Sequence, residues 1–163
     1  MRVKQENVQR SLYLSDDLID SDRVSADKLP VDALPASVHK HHILCVDDDV
    51  LGANIRAEVL EENGYSVVVF HSPLEATRCD LSTFSLAILD FEMPGLNGRE
   101  LLLRIRAMGA RFPIVLLTGC LEGLSRADCV LFSRCIDKSM PIHYLLDTIV
   151  EFLDPNPSPD YGS

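Results

Sequence analysis

The segment LAILDFEMPGLNG at residues 86–98 decides the fold class of this 163-residue chain. Its apolar run, residues 86–89, ends in Asp90. An unbroken run of this length predicts a strand that is buried on both faces, as in a parallel sheet covered by helices. Because parallel α/β sheets bind their ligands at the carboxyl ends of the strands, we expect Asp90 to lie at a functional edge.

A second apolar run, residues 43–46, also ends in acidic residues, namely Asp47, Asp48 and Asp49. If the two strands are neighbours, several carboxylates meet at one edge of the sheet. Two such charges 4 Å apart repel by roughly 4 kcal/mol at an effective dielectric constant near 20. A hard cation would relieve that repulsion.

Apolar runs alternate with helical patterns from residue 43 onward, which predicts five βα units and a doubly wound parallel sheet. Leu51, Ile55 and Val59 recur at four-residue spacing and predict a helix. A clearer amphipathic stripe covers residues 142–153, with Pro141 suited to the first helical turn. The predicted strands are residues 43–46, 66–70, 86–89, 114–117 and 135–136, and the weaker predicted helices lie around residues 73–79, 101–108 and 124–131.

The domain is predicted to occupy residues 42–153. Residues 1–41 show no sustained periodicity, which is typical of a flexible extension, and residues 154–163 form a proline-containing tail. Residues 12–19 have two open interpretations, a motif that folds on a partner or a plain part of the extension. We expect no output domain after residue 153.

Charge and composition exclude several functions. Residues 42–153 carry nine Lys or Arg against sixteen Asp or Glu, so direct nucleic-acid binding is not expected. The five cysteines are odd in number and form no C-x-x-C pair, which favours reduced, buried thiols in a cytoplasmic protein. The sequence has no run of 18 consecutive apolar residues, so membrane insertion is not expected.

Four separated features resemble the receiver domain of bacterial two-component response regulators. They are the acidic pair after residue 46, Asp90 with its Met-Pro-Gly loop at residues 93–95, Thr118 after a hydrophobic strand and Lys138 after another. The resemblance extends over residues 43–153 and implies the flavodoxin-like (βα)5 fold with strand order 2-1-3-4-5. It also implies a phosphoacceptor that assists its own phosphorylation, not an enzyme acting on external substrates.

The resemblance assigns a role to each site residue. Asp90 would accept a phosphoryl group from the phosphohistidine of a sensor histidine kinase or phosphotransfer protein. Mg²⁺ would be bound by Asp48, Asp90 and the backbone carbonyl of Glu92, with Asp47 acting through water. The phosphorylated domain would then contact a downstream protein target.

Thr118 and Lys138 would hold the oxygens of the transferred group. Plainer interpretations of both remain open, since Thr118 could cap the next helix and Lys138 could pair with the acidic cluster. Asp90 could merely cap a loop. Asp49, which precedes a predicted helix, is interpreted as a helix cap in preference to a metal ligand.

Three departures from the family pattern limit what the resemblance implies. Cys135 stands where many receivers have an aromatic switch residue, and Ser139 stands where most have a proline after the lysine. Glu92 places a charge two residues after Asp90, where it either tunes phosphate lifetime or simply faces solvent. Two other functions therefore stay open: an interaction module that is never phosphorylated, and a Mg²⁺-dependent hydrolase with an aspartyl phosphate intermediate.

Overall fold

The computed structural model describes residues 41–154. Apart from His41 and Asp154, the predicted extension and tail lie outside these residues, as does the segment at residues 12–19. The described elements are β1 (His42–Val46), α1 (Val50–Glu62), β2 (Ser66–Phe70), α2 (Pro73–Ala76), β3 (Leu86–Asp90), α3 (Gly98–Ala107), β4 (Ile114–Thr118), α4 (Arg126–Cys129), β5 (Arg134–Asp137) and α5 (Ile142–Leu153), with 3₁₀ turns at Leu81–Thr83 and Leu121–Gly123.

The five strands form one parallel sheet in the order β2-β1-β3-β4-β5. The predicted fold class and strand order are confirmed. Every residue of β3 and β4 is buried, whereas β2 lies at an edge and is half-buried. Helices cover the central strands on both faces, which explains why their sequences read as unbroken apolar runs.

Two apolar clusters lie on the two faces of the sheet. Neighbouring residues of β1 point to opposite sides, so Ile43 belongs to one cluster and Leu44 to the other. The first cluster contains Leu60 of α1 and Ile149 of α5, while the second contains Ile105 of α3. The packing therefore places α1 and α5 on one face and α3 on the other.

Helix α1 forms where it was predicted, but its apolar stripe is not its buried face. Leu51 is 71% exposed and Ile55 is 52% exposed, whereas Ala53, Ala57 and Leu60 are buried. Two positions along a helix correspond to a rotation of roughly 200°, so the stripe points away from the sheet. Small alanines face the sheet because they let the helix backbone lie close to it.

The end of the domain differs in detail from prediction. Helix α4 has only four residues, and the Ser125 side chain caps it by accepting a hydrogen bond from the Asp128 amide. Pro141 is the N-cap residue of α5 and precedes the first helical turn. Within residues 41–154, no helix combines the length and the apolar composition that crossing a membrane requires.

All five cysteines lie within the described residues and are unpaired, as predicted, but their burial differs. Cys45 in the central strand β1 is buried, and Cys120 after β4 is exposed. The remaining three, Cys79, Cys129 and Cys135, are half-buried. The expectation of buried thiols was wrong for Cys120 because it lies in the loop beyond the end of its strand.

Candidate functional site

Three carboxylates gather at the carboxyl ends of β1 and β3. Val46 pairs with Leu89, so the residues that follow them, Asp47 and Asp90, lie side by side. Asp47, Asp48 and Asp90 each offer an oxygen, and these oxygens all lie within 4.8 Å of one another. Asp47 and Asp90 are buried and Asp48 is exposed. Buried like charges are unfavourable unless a cation opposes them.

Lys138 supplies one such cation from the residue that follows β5. Its Nζ lies 3.0 Å from Oδ2 of Asp47 and 3.0 Å from Oδ2 of Asp90. Its backbone amide donates to the Thr118 carbonyl at 2.7 Å, which fixes the lysine beside the end of β4. Burial disfavours the ammonium charge, but hydrogen bonds and charges from the two aspartates outweigh it and raise the pKa of Lys138. The ion pair considered from the sequence is present.

Asp90 is held at both carboxylate oxygens. Oδ1 accepts a hydrogen bond from the Phe91 amide at 2.8 Å, and Oδ2 contacts Lys138. Burial raises the pKa of Asp90 above its ordinary value; the hydrogen bond from Lys138 opposes this rise and the charge of Asp47 adds to it. The carboxylate is thus oriented, and it is less well solvated than a surface aspartate.

The loop after Asp90 folds back onto it. The Gly98 amide donates a hydrogen bond to the Phe91 carbonyl at 2.9 Å, which brings the first residue of α3 against the end of β3. A Cβ atom at Gly98 would lie 2.3 Å from the Asp90 carbonyl oxygen. Only glycine allows this close approach of two backbone segments. Asn97 then caps α3 through a reciprocal pair of hydrogen bonds with Glu100.

Thr118 ends β4 and is 1% exposed. Its neighbour Leu117 pairs with Asp90, so Thr118 lies one residue beyond Asp90 on the adjacent strand. Its hydroxyl oxygen accepts a hydrogen bond from the Cys120 amide at 3.2 Å and caps no helix. The helix-cap interpretation of Thr118 was wrong, because a 3₁₀ turn separates β4 from α4.

Arg56 also reaches the carboxylates, although the sequence analysis did not single it out. Its guanidinium hydrogen-bonds Oδ2 of Asp47 from the middle of α1. The available signal was positional, since Arg56 lies three residues after Ala53 and four before Leu60. A charged residue beside the buried face of a helix needs a partner. That face could not be identified while the Leu51 stripe suggested a different one.

Asp49 and Glu92 lie at the margin of the site. Asp49 occupies the N-cap position of α1 as predicted, but its side chain makes no capping hydrogen bond. Glu92 has an exposed side chain, which agrees with the solvent-facing interpretation. Metal binding by its backbone carbonyl stays a prediction.

The donor set suits Mg²⁺. Carboxylate oxygens are hard ligands, and magnesium is commonly held by one or two carboxylates together with waters and substrate oxygens. Asp47, Asp48 and Asp90 provide oxygens close enough to share one ion. The exposure of Asp48 leaves one side of the cluster open to water and to a ligand.

A parallel sheet of this strand order with acidic residues at its central strand ends defines the class of the protein. The family model of the response regulator receiver domain matches residues 43–148. The chain therefore belongs to the response regulator receiver domain family.

Individual relatives agree with this assignment. The uncharacterized transcriptional regulatory protein YkoG of Bacillus subtilis (strain 168) is 38% identical over 82 residues, which are 50% of this chain and 36% of YkoG. The response regulator protein TrrA from Thermotoga maritima, crystallised in complex with Mg²⁺-BeF, is 32% identical with a TM-score of 0.61, and the match covers 69% of this chain and 99% of TrrA. The chain thus matches well under half the length of YkoG.

Proposed function

We propose that this receiver domain is a phosphoacceptor in two-component signal transduction. Asp90 accepts a phosphoryl group from the phosphohistidine of a sensor histidine kinase or phosphotransfer protein, and the phosphorylated domain contacts a downstream protein in the cytoplasm. One observation carries the proposal. Asp90 is a buried strand-end carboxylate held by Lys138 and the Phe91 amide, beside two further carboxylates.

The transfer we propose is a displacement at phosphorus. An oxygen of the Asp90 carboxylate forms the new P–O bond, the P–N bond to the donor imidazole breaks, and the nitrogen keeps the electron pair. Lys138 and the hydroxyl of Thr118 hold the phosphoryl oxygens at the adjacent strand ends. Asp48, Asp90 and the Glu92 carbonyl, with Asp47 acting through water, would hold Mg²⁺, which would supply positive charge to offset the repulsion between the carboxylate and the phosphoryl group. The chain modifies itself and turns over no external substrate.

The donor protein must cover the surface around Asp90 to bring the phosphorus atom of its phosphohistidine within bonding distance of the Asp90 carboxylate. Helix α1 begins two residues after Asp48, and its apolar residues Val50, Leu51 and Ile55 are exposed. We propose that Val50, Leu51 and Ile55 contact the phosphodonor protein, since an exposed apolar patch is typical of a protein contact. Leu51→Ser should slow transfer from a kinase that labels the wild type and leave labelling by acetyl phosphate unchanged. Leu103→Ser, at another exposed leucine, is the matched control.

Mass spectrometry after incubation with acetyl phosphate and Mg²⁺ tests the phosphoacceptor assignment. The wild type should gain the mass of one phosphoryl group, and Asp90→Asn should gain none. Asp80→Asn, which alters an exposed aspartate outside the cluster, should label like the wild type. Equal labelling of Asp90→Asn would refute the assignment of the acceptor.

The same experiment separates the alternatives. A wild type that never labels, with either acetyl phosphate or a kinase, would favour the unphosphorylated interaction module. Steady hydrolysis of an external phosphate ester would favour the hydrolase with an aspartyl phosphate intermediate.

A further inference from the structure

Arg56 brings a second cation into the acidic cluster. Its guanidinium hydrogen-bonds Oδ2 of Asp47, the same oxygen that Lys138 Nζ approaches to 3.0 Å. The Arg56 side chain is 15% exposed and that of Asp47 is 2% exposed. Salt screens charges that are this well buried less than it screens surface charges.

The two cations cancel most of the charge of the cluster. Asp47, Asp48 and Asp90 carry three negative charges, and Lys138 and Arg56 return two positive ones. Without Arg56, an arriving Mg²⁺ would meet a cluster with a formal charge of −2, and with Arg56 it meets −1. Oδ2 of Asp47 is, in addition, already occupied by both cations. Arg56 therefore opposes the metal both by its charge and by holding the Asp47 carboxylate, through which a water on the metal would be bound.

Arg56 has an unpaired nitrogen and a cavity beside it. Its Nε is buried and has no hydrogen-bond partner, so the guanidinium is incompletely satisfied where it lies. Arg56 also lines a cavity of about 150 Å³ together with Lys138 and residues that lead into α5, among them Pro141 and Ile142. The cavity is a space beside Arg56 that the guanidinium could occupy after leaving the Asp47 carboxylate.

We propose that Arg56 is a positioning residue that competes with a divalent cation for Asp47 and thereby lowers the Mg²⁺ affinity of the acidic cluster. The inference rests on the proposed function, because it requires a metal site at this cluster. In the metal-free protein Arg56 neutralises Asp47. When Mg²⁺ binds, the guanidinium moves from Asp47 into the cavity.

Isothermal titration calorimetry with Mg²⁺ alone, at fixed ionic strength, tests the proposal. Arg56→Met keeps a long apolar side chain without the charge, and it should bind Mg²⁺ about tenfold more tightly than the wild type, since a buried like charge is removed. Arg56→Lys keeps the charge and should stay close to the wild type. Arg104→Met removes an exposed arginine of α3 and should bind within about twofold of the wild type.

The sign of the change decides between roles. If Arg56 merely braces Asp47 for the metal, Arg56→Met will bind Mg²⁺ less tightly, and equal or weaker affinity overturns the inference. If neither the wild type nor Arg56→Met binds Mg²⁺, the metal site of the proposed function fails instead. Arg56→Gln, which retains polarity, gives the same test should Arg56→Met fail to fold, as judged by circular dichroism.

Discussion

The acidic strand ends and the α4–β5 segment lie on opposite sides of Thr118 and differ in how they are built. In the first, Asp47 and Asp90 are buried, and each carboxylate contacts a fixed cation. In the second, α4 is a single turn, and β5 has one buried residue, Ile136. The groups that would perform phosphoryl transfer are thus packed in advance, whereas the neighbouring segment is loosely covered.

The loosely covered segment adjoins an open surface. A cavity of about 250 Å³ lies there, lined by residues that include Cys135, Met140 and Tyr144. Tyr144 is 50% exposed and Met140 is 39% exposed, and such amphipathic side chains are common at protein contacts. Under the proposed function, the packed end would take up phosphate and the open side would contact the downstream protein.

The largest expected effect concerns metal at the packed end. A ligand that binds only the native state adds about 2.7 kcal/mol at a hundredfold excess over Kd. At that excess, Mg²⁺ should therefore raise the thermal midpoint by roughly 10 °C for a domain of this size. Asp48→Asn should lose much of that rise, and Asp80→Asn should keep it. An unchanged wild-type midpoint would mean that the cluster binds no Mg²⁺.

Loss of Lys138 should be the next largest effect. Lys138→Met leaves Asp47 and Asp90 with one fewer cation, which should cost about 2 kcal/mol in the metal-free protein, less than for a fully buried pair because Lys138 is partly exposed. Urea unfolding with and without Mg²⁺ measures this loss of stability. Mg²⁺ should reduce the difference in unfolding free energy between the wild type and Lys138→Met.

The exposed pair of Arg134 and Glu151 provides the control for the loss of Lys138. Arg134→Met should cost less than about 1 kcal/mol, since exposed ion pairs contribute little. A Lys138→Met variant as stable as Arg134→Met would remove the contrast between the two regions.

A smaller effect follows from the raised pKa of Asp90. Its carboxyl favours the protonated form more in the folded than in the unfolded protein, so its contribution to stability is present at low pH and lost as pH rises through the folded-state pKa. At pH 7 without metal, Asp90→Asn should therefore have a higher thermal midpoint than the wild type. The gain should shrink as the pH is lowered towards 4.

Asp137 gives a control of opposite sign. Hydrogen bonds from the side chain and amide of Ser139 lower the pKa of this exposed carboxyl, so its contribution to stability is present at neutral pH and lost on acidification. Asp137→Asn should therefore lower the midpoint slightly at pH 7. A gain in both variants would point to relief of general negative charge and not to burial of Asp90.

The smallest effect is expected at Cys135 in the open region. Its sulfur contacts the Cys129 carbonyl at 3.8 Å, and the residue carries no ring that could report the position of Thr118. Cys135→Ala should change the affinity for beryllium fluoride with Mg²⁺ by much less than tenfold, or about 1.4 kcal/mol, in a calorimetric titration. Thr118→Ala should weaken it clearly. A tenfold loss in Cys135→Ala would make the cysteine part of the switch.

The sheet and the carboxylate cluster could be predicted because their causes are local in sequence. Burial on both faces leaves unbroken apolar runs, and an acidic residue directly after such a run must lie at the strand end. Asp47, Asp48 and Asp90 were found in this way, whereas Lys138 was found through the resemblance to receiver domains.

What could not be predicted depends on how elements are rotated against each other. Four-residue spacing identifies α1 as a helix, but both Leu51 and Ala53 belong to apolar series at that spacing. Only packing against the sheet selects the alanine side, and that choice turns Arg56 towards Asp47. The same choice leaves Ile55 exposed. A second cation at the site was therefore invisible to pattern analysis.

The close approach at Gly98 makes the position of Asp90 depend on the residue at position 98. With a Cβ atom 2.3 Å from the Asp90 carbonyl oxygen, any replacement forces the start of α3 and the end of β3 apart. The carboxylate would then move relative to the lysine that follows β5, even though residue 98 touches neither phosphate nor metal. The missing Cβ atom at residue 98 thus keeps the carboxylate of Asp90 in place, and a larger residue there would act on the site from outside it.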